Sequence, residues 1–243
     1  MLIHTNPHFS IYFGDASDKL MPPYYLNLPD KFLLELEPFN GLKAKLGLKN
    51  LMFLHQTHSD QGFVVTQDFL AANRPFKIDG DYLITDIQHA GIGVMTADCL
   101  PILFYDRRNN VIAAIHAGWR GSVLGVAVKA MERMRETYGT QPEDISVFFG
   151  PSALVCCYEV SRGFESHLEG FSWVDKQQVF IERNNKLFFD VPRFNQLQLE
   201  AAGIKNEAIF TEYNLCTMCN TSFYSHRRDG EAAGRQMTVI CLN

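Results

Sequence analysis

The stretch TADCLPILFYDRRNNVIAAIHAGWRG, residues 96–121, decides the fold of this chain. It contains two apolar runs with strand character, Ile102 to Tyr105 and Val111 to Ile115. The residues between them, 106–110, are all charged or polar. This pattern predicts a β-hairpin whose turn lies in the polar segment.

The hairpin register decides whether Cys99 and His116 meet. If the turn centres between Arg107 and Arg108, Cys99 lies directly opposite His116 on one face of the sheet. A four-residue turn over residues 107–110 shifts the pairing by two but keeps both side chains on that face, whereas loops of three or five residues separate them. Pro101 has no backbone N–H to donate to a neighbouring strand, so it is expected at the edge or the start of a strand. This favours a position for Cys99 and His116 at the margin of the sheet.

A neighbouring thiol and imidazole have three interpretations. Cys99 can be an inert core residue beside a hydrogen-bonded His116. The two residues can form a nucleophilic dyad. They can also hold a metal ion, which requires a further ligand, and His55 and His58 in LHQTHSD are the natural candidates.

The remaining pattern predicts an α+β fold, because strand-like runs dominate the first two-thirds of the chain and few helices separate them. Two helices are predicted, one from a cap at Ser122 to a stop at Gly139 and one over Pro192 to Ala202, before Gly203. Nothing marks a domain boundary, so residues 1–243 are expected to form a single domain with a mixed β-sheet flanked by helices. The other predicted strands are Leu51 to Leu54, Gly62 to Thr66, Tyr82 to Thr85, Ile92 to Thr96 and Ile145 to Phe149.

Composition and charge limit the classes of molecule that this protein is expected to bind. The 243 residues are 47% hydrophobic and carry a net charge of −5, which is ordinary for a compact domain and lacks the basic footprint of a nucleic-acid or membrane-surface binder. No secretory signal pattern and no long apolar run is present, so a cytoplasmic location and small-molecule partners are expected. The oligomeric state stays open.

Several motifs together resemble the YfiH family, also called the laccase-domain or DUF152 family. The resemblance spans most of the chain from about Leu51 to the end, and HAGWRG after TADCLP with a later RRDG and GR is a specific combination. Two segments and one residue depart from the family pattern: LNLPDKF at 26–32, GPSALVCCYEV at 150–160, and His226, where tyrosine is common. The motifs are LHQTHSD, DGDYLIT, TADCLPILFYD, AAIHAGWRG, GPSALVCCYEV and CTMCNTSFYSHRRDGEAAGR.

The resemblance implies that His58, Cys99 and His116 are metal ligands and catalytic residues, with zinc as the usual ion and copper as an alternative. It implies a single α/β/α domain similar to bacterial toxins that use a Cys/His pair. It also implies phosphorolysis of adenosine, inosine, guanosine and methylthioadenosine, and deamination of adenosine. Two alternatives stay open, a laccase-type copper polyphenol oxidase and a Cys/His amidase that edits peptidoglycan precursors. The eight histidines include no H-x-H pair, which disfavours the oxidase.

These activities suggest roles for several polar residues. Two histidines and one cysteine leave tetrahedral zinc an open position for water or substrate. Asp81 and Asp98 are candidates for proton transfer or for orienting the ligands, and Asp98 also for substrate binding. Phosphate is expected at the turn 118–121, with help from the three arginines Arg120, Arg227 and Arg228.

The other cysteines are expected to be structural. Cys216 and Cys219 form a CxxC, but a zinc ribbon needs a second pair, and the cytidine-deaminase pattern is missing around His116. Cys156 and Cys157 receive the same interpretation.

Overall fold

The computed structural model describes residues 2–21, 35, 37–72 and 76–243. The LNLPDKF segment therefore lies outside the described residues. The strands are β1 Leu2–Thr5, β2 Phe9–Phe13, β3 Asn50–Met52, β4 Gly62–Val64, β5 Tyr82–Thr85, β6 Ala90–Thr96, β7 Leu100–Asp106, β8 Val111–Ala117, β9 Ile145–Phe149, β10 Glu159–Val160, β11 Phe180–Arg183, β12 Lys186–Phe189, β13 Ile209–Phe210 and β14 Gln236–Leu242. The α-helices are α1 Phe39–Leu46, α2 Gln67–Ala72, α3 Trp119–Val123, α4 Val126–Tyr138, α5 Val191–Ala201 and α6 His226–Asp229.

The strands form three sheets. A five-stranded sheet has the order β1-β2-β14-β6-β3, and a six-stranded sheet has the order β13-β9-β7-β8-β5-β4. Both are mixed, because β3–β6, β4–β5 and β9–β13 pair in parallel while their other neighbours are antiparallel. A small antiparallel sheet has the order β10-β12-β11.

The two large sheets pack face to face between helices. One apolar cluster fills the space between them with residues such as Ile11, Ile92, Leu103 and Ile112. A second joins the other face of the six-stranded sheet to α4 and α5, and a third joins the outer face of the five-stranded sheet to α1. Truncation of a fully buried phenylalanine here costs about 3–5 kcal/mol, and Phe104 in β7 is one such residue.

The α+β class with mixed sheets and flanking helices is confirmed, and the difference lies in the number of sheets. The strands form two large stacked sheets and a small third sheet, where the sequence suggested one sheet. Every residue of β6, β7, β8 and β14 is buried. Apolar residues therefore occupy both faces of these strands, and no polar face indicates which of two cores each side chain enters.

The predicted hairpin is present, with the four-residue turn over residues 107–110. Asp106 pairs with Val111, and Pro101 rather than Cys99 lies opposite His116. The prediction of direct Cys99–His116 pairing is therefore wrong, because four residues form the turn: the Asp106 carboxylate accepts hydrogen bonds from the backbone N–H groups of residues 108 and 109. Cys99 lies just before β7 on the side expected from the two-residue shift.

The long helix begins later than predicted. Ser122 does not cap it, because α3 ends at Val123 and the chain then turns at Gly125, whose φ of 80° is accessible to glycine, before α4 begins. The predicted stop at Gly139 is confirmed, with φ 73° and an N–H donated to the Arg135 carbonyl. Asp190 caps α5, the second predicted helix, by accepting from the Arg193 N–H. None of the helices in the described ranges has both the length and the apolar character needed to cross a bilayer.

Candidate metal centre

Three side chains converge where the two large sheets meet. Cys99 lies just before β7, His116 lies near the end of β8, and His58 lies on the loop that leads from β3 in one sheet to β4 in the other. The Cys99 sulfur is 3.7 Å from Nε2 of His58, and the two imidazole rings are 4.8 Å apart at 70°. One ligand atom from each residue lies within 4.8 Å of the others.

The donor set fits a four-coordinate metal ion. Tetrahedral zinc with ordinary Zn–N and Zn–S bonds would separate a nitrogen from a sulfur by about 3.6 Å, close to the 3.7 Å between His58 and Cys99. Two imidazoles and one thiolate are ligands that both zinc and copper accept. The group leaves one tetrahedral position without a protein ligand, as catalytic zinc sites do.

Asp81 fixes both histidines. The carboxylate is 1% exposed, and its Oδ1 accepts from Nδ1 of His116 at 2.8 Å and from the backbone N–H of His58 at 3.0 Å. Its Oδ2 accepts from the backbone N–H and the hydroxyl of Ser59, each at 2.6 Å. The bond to Nδ1 leaves Nε2 of His116 as the available ligand atom. These bonds favour ligand orientation over proton transfer for Asp81.

Gln56 anchors the loop that carries His58, a role that the sequence analysis missed. Its side-chain amide donates to the Met95 carbonyl and accepts the Met95 N–H, both at 2.8 Å, so it pairs with β6 as a backbone segment would. His58 itself has a φ of 61°. A non-glycine residue in this region costs about 1 kcal/mol or more, so the surrounding bonds must hold it there.

Gly118 leaves the space that the ligands occupy. A Cβ atom at this position would lie 2.8 Å from Cδ2 of His58 and 3.0 Å from the Cys99 sulfur. Gly118 belongs to the turn at which phosphate was expected to bind. The structure shows a different use, since the ligating side chains themselves pack against its Cα.

Cys99, His116 and Asp81 shift one another's pKa values. Burial alone would raise the pKa of Cys99, but His116 and His58 lower it to about 6. Burial would lower the pKa of His116, but the Cys99 charge and the Asp81 hydrogen bond raise it to about 9. Burial also opposes ionisation of Asp81, whose pKa nevertheless falls to about 2 through the bonds from His116 and Ser59. The pocket therefore stabilises a thiolate, as metal ligation or nucleophilic attack requires.

Two cavities flank these residues. The larger, of about 460 Å³, has the three candidate ligands, Arg120 and Arg235 in its wall, together with the apolar side chains of Leu54, Phe76 and Met95. The smaller, of about 90 Å³, also has His58 and Cys99 in its wall and is further lined by Asp98, Trp119 and Tyr158. Ligand pockets commonly occupy about 300–1,000 Å³, so the larger cavity has room for a small organic substrate.

The predicted anion-binding arginines have different surroundings. Arg120 is exposed, lines both cavities and stacks on the Trp119 ring at 4.9 Å; within the described part of the chain its guanidinium has no carboxylate partner. Arg227 donates to the Glu159 carbonyl. Arg228 pairs with Asp229 and donates to the carbonyls of Thr217 and Phe223, so its guanidinium holds the loop together.

Asp98 is held by the C-terminal loop. Its carboxylate accepts from the Thr217 hydroxyl at 2.6 Å, the Ser225 hydroxyl at 3.0 Å and the Arg227 N–H at 2.7 Å. These donors favour a positioning role for Asp98 over contact with phosphate, which a carboxylate would repel. His55, the alternative ligand, instead bonds Asp79 through Nδ1 at 2.8 Å.

The structure also assembles a second group that the sequence analysis did not foresee. The sulfurs of Cys156, Cys157, Cys216 and Cys219 all lie within 4.8 Å of one another. The CxxC was expected to lack a partner pair, and the adjacent Cys156 and Cys157 supply it. The only signal in the sequence was the presence of two close cysteine pairs about 60 residues apart.

Comparisons with known proteins agree with the motifs. The family model described as multi-copper polyphenol oxidoreductase laccase matches residues 37–243. The crystal structure of YfiH from Bacillus licheniformis superposes with a TM-score of 0.82 at 27% identity, covering 97% of this chain and 93% of that one. The chain belongs to the YfiH, laccase-domain family.

Two relatives of this YfiH-family chain have named activities. A protein of Clostridium acetobutylicum named purine nucleoside phosphorylase is 32% identical over 238 residues, covering 96% of this chain and 91% of its own length. Adenosine deaminase RL5, from an unknown prokaryotic organism, is 34% identical over 222 residues, covering 87% of this chain and 83% of its own length.

Proposed function

We propose that this protein is a zinc-dependent purine nucleoside enzyme, which cleaves adenosine, inosine, guanosine and methylthioadenosine by phosphorolysis and deaminates adenosine. The observation that carries the proposal is the convergence of His58, Cys99 and His116 beside a cavity of about 460 Å³. Relatives named purine nucleoside phosphorylase and adenosine deaminase support the substrate class.

The cavity offers different surfaces to the parts of a nucleoside. Leu54, Phe76 and Met95 form an apolar wall suited to a purine ring, whereas Arg120 supplies a cation beside the candidate ligands. We assign phosphate to Arg120, because Arg228 is bonded to Asp229 and to backbone carbonyls. The predicted phosphate turn, residues 118–121, forms the N-terminal cap and the first residues of the short helix α3, and Arg120 in this helix lines both cavities.

In this mechanism His58, Cys99 and His116 hold the metal ion. When bound, such an ion would polarise a water molecule or a substrate group. Asp81 keeps the His116 proton on Nδ1 and so keeps Nε2 free to ligate. Arg120 binds the phosphate nucleophile and balances its charge, and the apolar wall orients the base.

A product assay with matched variants tests the proposal. Metal-quantified protein is incubated with adenosine and phosphate, and adenine, ribose 1-phosphate and inosine are separated and measured. Cys99→Ser should lose bound metal and turnover together, whereas His8→Ala, which alters an exposed histidine outside the cavity wall, should retain both. Arg120→Ala should raise the KM for phosphate more than the KM for adenosine.

Two results would contradict this assignment. A zinc-loaded sample that forms none of the three products would refute the substrate class. Loss of zinc from Cys99→Ser without loss of turnover would refute the role of the metal.

The metal requires a separate comparison, because the matching family model bears a multi-copper name. Copper outcompetes zinc at nitrogen and sulfur ligands, so copper acquired during purification could support phenol oxidation. Among the described residues, one group of potential ligands contains histidine, which is few for a multicopper oxidase. Samples with equal zinc or copper occupancy should therefore differ, with nucleoside turnover greatest in the zinc sample.

A Cys/His amidase is a second candidate, and one observation favours it. Cys99, His116 and Asp81 form a continuous chain in which Asp81 bonds Nδ1 of His116 and His116 faces the thiol. This is the arrangement of a cysteine nucleophile, its base and an orienting carboxylate. Metal-free protein that hydrolyses peptidoglycan-precursor amides, and that loses this activity on alkylation of Cys99, would favour the amidase over the metalloenzyme.

A further inference from the structure

The four-cysteine group lies between two loops that are distant in sequence. Cys156 and Cys157 occupy the loop between β9 and β10, and Cys216 and Cys219 occupy the loop between β13 and α6. The Cys219 sulfur is 3.5 Å from that of Cys156 and 2.9 Å from that of Cys157. Four thiolates around tetrahedral zinc would be about 3.8 Å apart, given a Zn–S bond of about 2.3 Å. The observed cluster is therefore close to the size of such a site.

Backbone contacts hold the two loops in register. Ser152 and Cys216 form an isolated parallel bridge, in which the Ser152 N–H donates to the Leu215 carbonyl and the Thr217 N–H donates to the Ser152 carbonyl. Arg183 donates to the carbonyls of Val155 and Cys156. The sulfurs are brought together by the fold itself and not only by contacts among themselves.

Backbone N–H groups also point at one of the sulfurs. The N–H groups of Leu154 and Cys219 donate hydrogen bonds to the Cys216 sulfur. The donor from Cys219 lies three residues beyond the sulfur that accepts its hydrogen bond, so the CxxC turn folds around this sulfur. Such backbone donors stabilise a thiolate ligand of a metal ion.

We propose that Cys156, Cys157, Cys216 and Cys219 bind a second metal ion, a thiophilic divalent cation of the zinc class, in a closed structural site. Four protein sulfurs complete a tetrahedral shell, so this site has no open position and carries no substrate. The guanidinium of Arg183, fixed on the Cys156 carbonyl, partly offsets the net negative charge of a tetrathiolate centre. The proposal does not depend on the nucleoside chemistry of the first site.

The position of the second site gives it a mechanical role. Thr217, between the two cysteines of the CxxC, donates to Asp98, the residue before Cys99. Tyr158, the residue after Cys157, lines the smaller cavity together with Asp98. A metal ion that joins these loops would fix one wall of that cavity and the carboxylate contacts of Asp98.

Metal content and cobalt spectra of the full chain test this inference. Zinc-loaded wild type should contain about two ions per chain, and Cys99→Ser and Cys156→Ser/Cys219→Ser should each contain about one. The double variant changes the two exposed cysteines, which limits the risk of misfolding. In the Cys99→Ser background, Co²⁺ should produce the strong sulfur-to-metal charge transfer and visible bands of a tetrahedral thiolate site, and these bands should be lost when the double substitution is added.

Three results would overturn the inference. The double variant could retain as much zinc as the wild type. Cobalt could bind the Cys99→Ser protein without thiolate charge transfer. Titration of the denatured, unreduced chain could find four free thiols and not all six cysteines, which would show that two of them form a disulfide.

Discussion

The most informative perturbation of the candidate metal centre is Asp81→Asn, which keeps the side-chain shape and removes one acceptor. Asp81 accepts at both oxygens, with His116 and the His58 N–H on Oδ1 and the Ser59 N–H on Oδ2. An asparagine oxygen can serve only one side. If the amide NH₂ faces Ser59, it meets an N–H donor; if it faces His116, it forces the proton onto Nε2, the atom needed for the metal.

In either orientation the asparagine loses one of these hydrogen bonds, and this loss sets the expected decrease in zinc affinity and in stability. Loss of a partner that orients a metal-bound histidine lowers metal affinity about 10- to 100-fold, which corresponds to about 1.4–2.8 kcal/mol. Loss of a hydrogen bond to a buried charged group lowers the free energy of unfolding by about 1.5–3 kcal/mol. Zinc affinity is measured by competition with a chromophoric chelator, and stability by urea unfolding of the metal-free protein.

The control is Asp79→Asn, which alters a neighbouring aspartate whose side chain is 76% exposed and pairs with His55. Exposed pairs contribute little, about 0–1 kcal/mol, so zinc affinity should stay near that of the wild type. A folded Asp81→Asn protein that binds zinc as tightly as the control would refute the role assigned to Asp81.

Two further substitutions test how the ligands are placed. Gly118→Ala introduces a Cβ 2.8 Å from His58 and 3.0 Å from the Cys99 sulfur; zinc affinity should fall by about tenfold or more while far-UV circular dichroism is retained, whereas Gly170→Ala, where the added Cβ has no neighbour within 4 Å, should change neither. Gln56→Leu removes both hydrogen bonds to Met95, at a cost of about 1–3 kcal/mol, and should speed amide hydrogen exchange in the His58 loop; unchanged exchange there would show that Gln56 does not anchor it.

The sequence predicts local structure best where one pattern is sufficient. The bounds of β5 and β9 agree with the predicted runs, because turn residues delimit each buried strand. The position of Cys99 and His116 on one face also follows from the parity of the hairpin. The predicted start of α4 was wrong, because the amphipathic spacing of the sequence continues across Gly125, whereas the backbone at Gly125 turns away from the helix axis.

Long-range contacts were outside the reach of pattern analysis. The spacing of His55 and His58 does not distinguish between them, and the choice of His58 came from the family resemblance. In the structure, the contacts of Gln56 with β6 and of Asp81 with the loop place His58 beside Cys99. The Ser152–Cys216 bridge brings the four cysteines together, and no helical or strand periodicity in the sequence predicts this bridge. In both cases the deciding interaction joins segments whose separation in sequence exceeds any local repeat.

The two cysteine-containing groups are connected through Asp98. Its φ of 88° lies outside the ordinary range for a non-glycine residue, and this reversal directs the chain from the end of β6 to Cys99, just before β7. Such a conformation costs about 1–3 kcal/mol unless its surroundings hold it. Those surroundings are Thr217, Ser225 and Arg227, on the segment that begins with the CxxC. Order in that segment therefore stabilises the strained residue that positions Cys99. Because coupling between two sites is reciprocal, a metal ion bound at either of the two proposed sites should favour metal binding at the other.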